Sequence, residues 1–269
     1  MEVMRPRLLD PLAVIAHVAA VTTRIDLGVG VVLLPLRVPV QLARTLATLD
    51  AISNGRLIAG LGLGNKNPDL YAEHGVPTSG RLDRYLAALD VLRRLLAEGQ
   101  AAYDGPEWSI VGQTGIPPAT RTPHPPIWLG ARSEVAVRRA ANLADGLLGA
   151  GSGGHEEFAG WVDVVKDELE AIGRDPATFT IASRVYVLVD PTPESVGRMH
   201  KWFGAVYGNE SLADRVALVG DIDAVKERVA DLHSNGVGHI VLNPVLDYER
   251  HLEVFANGLL GVDGNTSDL

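Results

Sequence analysis

The sequence predicts an α/β fold of the TIM (β/α)8-barrel type, incomplete at its N-terminus and carrying an insertion before the strand that begins at Ile127. Three observations lead there. Short apolar runs rich in β-branched residues alternate with amphipathic stretches of helical period. The runs are apolar on both faces, as in strands covered by helices on either side. The links between them are long enough to be crossovers, which makes the sheet parallel. Eight such units would close a barrel; this chain opens on a helix and offers six strands, so the first two strands are expected to be missing. An open doubly wound sheet of six parallel strands satisfies the same pattern and stays as the alternative.

The elements follow in order. Asp10-Pro11 is an N-cap with proline at the first helical position, and Leu12, Ile15, Val18 and Ala19 recur at helical spacing, which predicts a helix over 10–22. The stretch 25–34 is a buried strand interrupted only by Gly28 and Gly30, and Pro35 ends it. Pro39 opens the next helix, and Asn54-Gly55 supplies its left-handed stop. A strand over 57–63 leads into a Gly, Asn and Pro-rich loop, 64–79, and then a long helix carrying Leu82, Tyr85, Leu86, Leu89, Leu92 and Leu96. Arg81, Asp83 and Arg84 read as a salt-bridged face of that helix.

From 98 to 125 the rhythm breaks. Glycines and prolines surround one short strand-like piece, 107–111, so this is an insertion, either an active-site flap or decoration. After it come the strand at Ile127, a helix from Glu134 to Ala144, a strand over 146–150, and a helix marked by Phe158, Trp161, Val165, Leu169 and Ile172 and stopped by Gly173. The longest strand is expected over 179–189, then a helix opened by Thr192-Pro193-Glu194, a helix over 223–234, a strand over 238–243 and a last helix over 247–259. The tail 261–269 reads as disordered, and the whole of 1–269 as one barrel domain.

Composition narrows the chemistry. The 269 residues contain no cysteine, which excludes disulfides, thiolate nucleophiles and Cys-ligated metals and fits a reducing cytoplasm. A net charge of −9 without a basic run, and 5% aromatic residues, argue against nucleic acid. The start lacks the apolar core of a signal peptide, and no apolar stretch reaches the length of a membrane span. A cytoplasmic protein without a membrane partner is expected.

In a barrel the functional groups sit at the carboxyl ends of strands. The most informative such end is Pro125-Pro126-Ile127-Trp128-Leu129-Gly130-Ala131-Arg132-Ser133, a strand, a tight turn and a helix start. The open N–H groups of a helix start, with a glycine, a hydroxyl and an arginine beside them, suit a phosphate. The competing reading is an ordinary N-cap at Ser133 and a solvated Arg132. Gly130 has no G-x-G-x-x-G companions, so the dinucleotide fingerprint is absent.

Several ordered motifs carry a resemblance. Leu27-Gly28-Val29-Gly30-Val31, Ser53-Asn54-Gly55-Arg56-Leu57 running into Gly60-Leu61-Gly62-Leu63-Gly64, the Pro125 to Gly130 run with Ala144-Asp145-Gly146, and Gly236-Val237-Gly238-His239-Ile240 together resemble the bacterial luciferase-like flavin and deazaflavin oxidoreductases. The resemblance extends from Asp10 to about Gly261. It implies a βα barrel holding FMN or coenzyme F420 at the carboxyl ends of its strands. By position, Gly30-Val31 matches a strand bulge that often contains a non-prolyl cis peptide and backs the ring. Read without the resemblance, Gly28 and Gly30 only permit close packing. Asn65 matches a polar contact to the ring or its ribityl chain. Ala131, Arg132, Ser133 and Glu134 match the phosphate turn, and Gly151 and Ser152 the next rim loop. Two departures stand out: relatives often have two glycines where Arg132-Ser133 stand, and they begin with a strand, a helix and a second strand, whose end would fall near Glu2. A truncated or misassigned start, or a partner chain covering the gap, would account for the second.

The eight histidines form no metal-ligand spacing. His155 with Glu156 and Glu157 reads as a helix start, His124 as a loop residue, His239 as structural; His74 stands either on the surface or toward substrate. No serine occupies a nucleophile elbow, so no catalytic side chain is assigned and the chemistry is expected to reside in a cofactor. The expected function is an FMN-dependent monooxygenase or F420-dependent oxidoreductase acting on a small organic substrate, served by a flavin or F420 reductase and forming a homo-oligomer. A non-catalytic accessory subunit of such a system is the alternative, and a cofactor-free aldolase-like or isomerase barrel a third.

Overall fold

The computed structural model describes residues 9–113 and 115–260. Glu2 and the tail 261–269 lie outside the described residues. The described chain divides into two compact units, 9–130 and 131–260.

The first unit begins with α1 (Pro11–Val21), capped by Asp10, whose carboxylate accepts from the Leu12 and Ala13 amides at 3.0 and 3.2 Å. The Ala13 amide foremost, with Arg37 helping, holds the Asp10 carboxyl below its ordinary 3.8. A carboxyl lowered on folding stabilises the fold above its unfolded pKa, and that contribution is lost as pH falls through the folded value. Asp10→Ala should therefore be destabilised by about 1 kcal/mol at neutral pH. The gap to wild type should narrow on acidification below 3.8. Urea melts across that range check it, and a gap independent of pH contradicts it.

The expected single strand over 25–34 is instead two, β1 (Leu27–Gly28) and β2 (Val32–Leu33). Both pair in parallel with β3 (Leu57–Gly62), with Leu27 opposite Leu57 and Val32 opposite Leu61. Three residues, Val29, Gly30 and Val31, thus stand opposite Ala59 and Gly60, which makes a bulge. The Gly30–Val31 peptide within it is cis. β3 also pairs in parallel with β6 (Ile127–Ala131), Gly60 opposite Trp128.

Between β2 and β3 lies α2 (Pro39–Ile52), stopped by Asn54 and Gly55 at φ 56° and 77°. Arg56 then turns back and donates to the carbonyls of Ala19, Thr22 and Ile25, satisfying the open end of α1. That contact explains the Ser-Asn-Gly-Arg motif structurally.

The loop predicted over 64–79 contains a helix, α3 (Pro68–Glu73), capped by the Asn67 side chain. Six residues are too few for a helical period to register. The long helix is α4 (Arg81–Glu98). Its expected salt-bridged face is a different structure: Arg84 is 2% exposed, pairs with Glu107 at 3.0 Å and donates to the Pro77 carbonyl, while Arg81 donates to the Gly64 carbonyl at 2.7 Å. Both arginines fasten neighbouring loops. In the insertion the sequence indicated one strand; there are two, β4 (Gln100–Asp104) and β5 (Ser109–Gln113), in an antiparallel hairpin. Gln100, Ala101 and Ala102 lack the β-branched signal that would have marked the first.

The second unit contains α5 (Glu134–Leu143), β7 (Gly146–Gly149), α6 (His155–Ala171), β8 (Thr180–Val189) and α7 (Pro193–Tyr207). It continues with α8 (Leu212–Val216), β9 (Ala217–Gly220), α9 (Ile222–Ser234), β10 (His239–Pro244) and α10 (Tyr248–Leu259). Central β8 pairs in parallel with β7, β9 and β10. β9 and α8 are additions to the sequence reading, since four residues, three half-buried and Val219 exposed, give no readable alternation. Buried His251 receives the Val189 amide on Nε2 at 3.0 Å and sits 3.0 Å from the Asp247 carbonyl through Nδ1, so it fastens α10 to the end of β8. Among the described residues no helix is long and apolar enough to cross a membrane.

Candidate functional site

In the first unit the bulge is closed from behind by glycines. A Cβ on Gly60 would lie 1.8 Å from the Val29 carbonyl oxygen, and one on Gly62 would lie 2.4 Å from Val31 Cγ2. A Cβ on Gly130 would come 3.1 Å from Val31 Cγ1. These three positions let the bulge sit directly on the backbone of β3 and β6. Gly30 is exposed and Val31 half-buried, so backbone and one small side chain are presented outward.

Asn65 follows the carboxyl end of β3 and is exposed. Its Oδ1 accepts from the Asn67 amide at 3.2 Å, which leaves the carboxamide NH2 as the group available to a ligand. Gly64, at φ 73°, turns the chain there, with its carbonyl held by Arg81 and the Leu63 carbonyl held by the Tyr71 hydroxyl at 3.2 Å. Arg81 and Tyr71 thus fix the loop that carries Asn65, a role the sequence does not signal.

In the second unit, Ala131 is buried and Arg132 and Ser133 are exposed at the start of α5. Ser133 is the N-cap residue, yet its hydroxyl caps no helix amide. Neither the Arg132 guanidinium nor the Ser133 hydroxyl has a side-chain partner among the described residues. The one acid in the turn is neutralised: Glu134 receives Arg138 at 2.8 Å, and Arg138 also pairs with Glu168 at 2.6 Å. Hydrogen bonds from Arg138 and then Asn142 hold the Glu168 carboxyl below its ordinary range. The positive end of the α5 dipole and the Arg132 guanidinium therefore stand at the helix start, while Arg138 is shared between the two carboxylates.

Gly151, at φ 71°, and Ser152 follow the carboxyl end of β7. A Cβ on Gly151 would lie 2.8 Å from the Arg184 carbonyl oxygen and 3.2 Å from the Tyr186 ring, so this loop also lies on bare backbone. Arg184 donates from Nε to the Ala150 carbonyl at 3.2 Å and places its guanidinium 5.2 Å from the Tyr186 ring centre. Burial pushes the Tyr186 phenol up, and its hydroxyl bonds that of Tyr207. Arg184 was absent from the sequence reading because nothing distinguishes a lone arginine in a strand until its neighbours are known.

The histidines take no common position. His74 is exposed and caps the end of α3, 2.9 Å from the Leu70 carbonyl; His124 is buried in its loop beside the Pro125 carbonyl at 2.9 Å; His239 is exposed at the start of β10. Among the described residues no three His, Asp or Glu side chains gather as a metal site.

The family profile described as luciferase-like monooxygenase matches residues 2–214. An uncharacterised protein of Mycobacterium tuberculosis is 33% identical over 193 residues, covering 71% of this chain and 66% of that relative, so the match spans just under two thirds of its length. The monooxygenase RslO1 from Streptomyces bottropensis is 26% identical with a TM-score of 0.74, over 94% of this chain and 82% of that one. An F420-dependent secondary alcohol dehydrogenase, solved with an F420–acetone adduct, superposes with a TM-score of 0.80 at 15% identity, over 96% of this chain and 85% of that one. These likenesses, with the parallel strands and crossover helices of each unit, establish the TIM-type α/β class.

Proposed function

The chain belongs to the luciferase-like monooxygenase family, and from that premise we propose that it is an oxidoreductase that binds FMN or coenzyme F420 and acts on a small organic substrate. The observation that carries the reading is the turn at Ala131, Arg132 and Ser133, where a guanidinium, a hydroxyl and the first amides of α5 stand without protein partners. Such a constellation suits a phosphate monoester, which both cofactors bear. Gly151 and Ser152 add backbone donors after β7. Gly30, Val31 and Asn65 are assigned to the ring on the strength of the family resemblance.

When bound, the cofactor supplies redox chemistry, as oxygen activation for FMN or hydride exchange for F420. The protein's part is to hold the phosphate through Arg132 and Ser133, to keep Glu134 from repelling it through Arg138, and to fix the loop of Asn65 through Arg81 and Tyr71. The small-molecule substrate and a reductase supplying reduced cofactor are the partners this reading requires.

Fluorescence titration of the chain with FMN, riboflavin and F420 tests it. Arg132→Ala with Ser133→Ala should weaken the phosphorylated cofactor by about 10- to 100-fold, since charge-assisted hydrogen bonds contribute about 1.5–3 kcal/mol. Riboflavin, which lacks the phosphate, should be unaffected. Equal losses would remove the phosphate assignment, and binding of neither cofactor would remove the function.

A further inference from the structure

α1 is apolar on every side. From Pro11 to Val21 it carries no Asp, Glu, Lys or Arg, and His17 is its one polar side chain. A helix of that kind is ordinarily buried all round. α1 packs on α2 and β1, yet only Leu12, Ile15 and Ala19 are buried. Ala13, Val14, His17, Ala20 and Val21 are exposed, Val21 to 67%. With 3.6 residues per turn these five fall on one stripe centred on His17, opposite the buried three. Leu9 before the helix and Ile25 after it are also exposed, so the apolar surface continues past both ends. A contiguous surface of this kind marks an interaction site.

The stripe is complementary to itself when reversed. Laid antiparallel on a second copy with His17 at the two-fold axis, it sets Ala13 against the partner's Val21 and Val14 against the partner's Ala20. A small side chain then faces a branched one at each step, which lets the two helices approach closely. The same reversal brings opposite charges together at the ends. Asp10, before the helix, keeps its carboxylate half-exposed beyond its bonds to Arg37 and the Leu12 and Ala13 amides. Arg24, past the other end, is exposed and has no ion-pair partner among the described residues. A parallel pairing would instead set Val14 on Val14 and Asp10 on Asp10. Each copy carries a net charge of −9, so two copies repel as wholes, which favours contact through a stripe without carboxylates.

We infer that two copies of this chain dimerise through the exposed face of α1, antiparallel, about a two-fold axis at His17. Eleven helical residues per copy make a small contact, which belongs with weak, reversible interfaces. The surface includes none of the residues assigned to the cofactor, so the inference stands apart from the proposed function.

Sedimentation equilibrium of the whole chain, from about 1 to 500 μM, tests it. Wild type should pass from monomer to dimer across that range. Val21→Glu and His17→Glu change exposed side chains, so their circular dichroism should match wild type. Each should weaken the dimer on the order of 100-fold, because two new carboxylates enter the contact and in His17→Glu they face each other on the axis. His17→Leu should hold the dimer or tighten it. Orientation is read separately, since a chain without cysteine lets introduced thiols report alone. A short bismaleimide should crosslink Ala13→Cys chains to Val21→Cys chains in a mixture, and neither variant efficiently to itself. A wild type that stays monomeric throughout would overturn the inference and leave the stripe to a different partner. A dimer unchanged in both glutamate variants would overturn it too, as would Ala13→Cys crosslinking to itself as fast as to Val21→Cys.

Discussion

Gly60→Ala should unfold the protein or leave it only marginally stable. The new Cβ would stand 1.8 Å from the Val29 carbonyl oxygen and 3.0 Å from its carbonyl carbon, both backbone atoms that no rotamer change can move aside. Overpacking of a core typically costs about 1–3 kcal/mol when side chains can yield. Here the strand itself must shift, so the loss should exceed that range and consume much of a domain's usual ~5–15 kcal/mol. Neighbouring glycines supply a graded comparison. At Gly62 the obstacle is Val31 Cγ2 at 2.4 Å, the tip of a side chain, and at Gly130 it is Val31 Cγ1 at 3.1 Å. At Gly28 the nearest atoms lie at an ordinary 3.4 Å. Denaturant midpoints should fall steeply for Gly60→Ala, less for Gly62→Ala, and little for Gly28→Ala. Equal midpoints for Gly60→Ala and Gly28→Ala would show that the bulge does not bear on β3.

The same glycines mark what could be read in advance. Periodicity, caps and stops located most of the helices because their signals are local: Asp10 before Pro11, Asn54-Gly55, and Thr192 before Pro193 each act within a turn or two of chain. Buried apolar runs gave the long strands for the same reason. What escaped depends on partners distant in sequence. The division of 25–34 into β1 and β2 is decided by register against β3, and β9 exists because the end of β8 offers it an edge. Arg84 looks like any surface arginine until Glu107 and the Pro77 carbonyl are placed beside it. For the candidate site, the turn at Arg132 and Ser133 was legible as a strand, a turn and a helix start. Its open hydroxyl and the neutralisation of Glu134 by Arg138 were not, because both are matters of which neighbours a side chain does or does not reach.

Asp50→Ala should release the insertion from the rest of its unit. Asp50 is fully buried on α2, and its Oδ2 accepts the amides of Thr120 at 2.7 Å and Arg121 at 3.1 Å. Hydrogen bonds to a charged group contribute about 1.5–3 kcal/mol each, but these amides lie near the surface, where water can replace the lost oxygen. A net destabilisation of about 2–4 kcal/mol is therefore expected, less than the sum of two full bonds. Asp50→Asn keeps one carbonyl oxygen in place and should fall between wild type and alanine. Hydrogen exchange reads the effect locally: the Thr120 and Arg121 amides should lose protection in Asp50→Ala, while the hairpin of β4 and β5, held through Glu107 to Arg84, should keep its own. That pattern would mean the insertion is fastened at two separate points and cannot swing as one flap. Loss of protection throughout the hairpin would instead mean that Asp50 alone holds the insertion down, and would restore a hinged flap as the reading of 98–125.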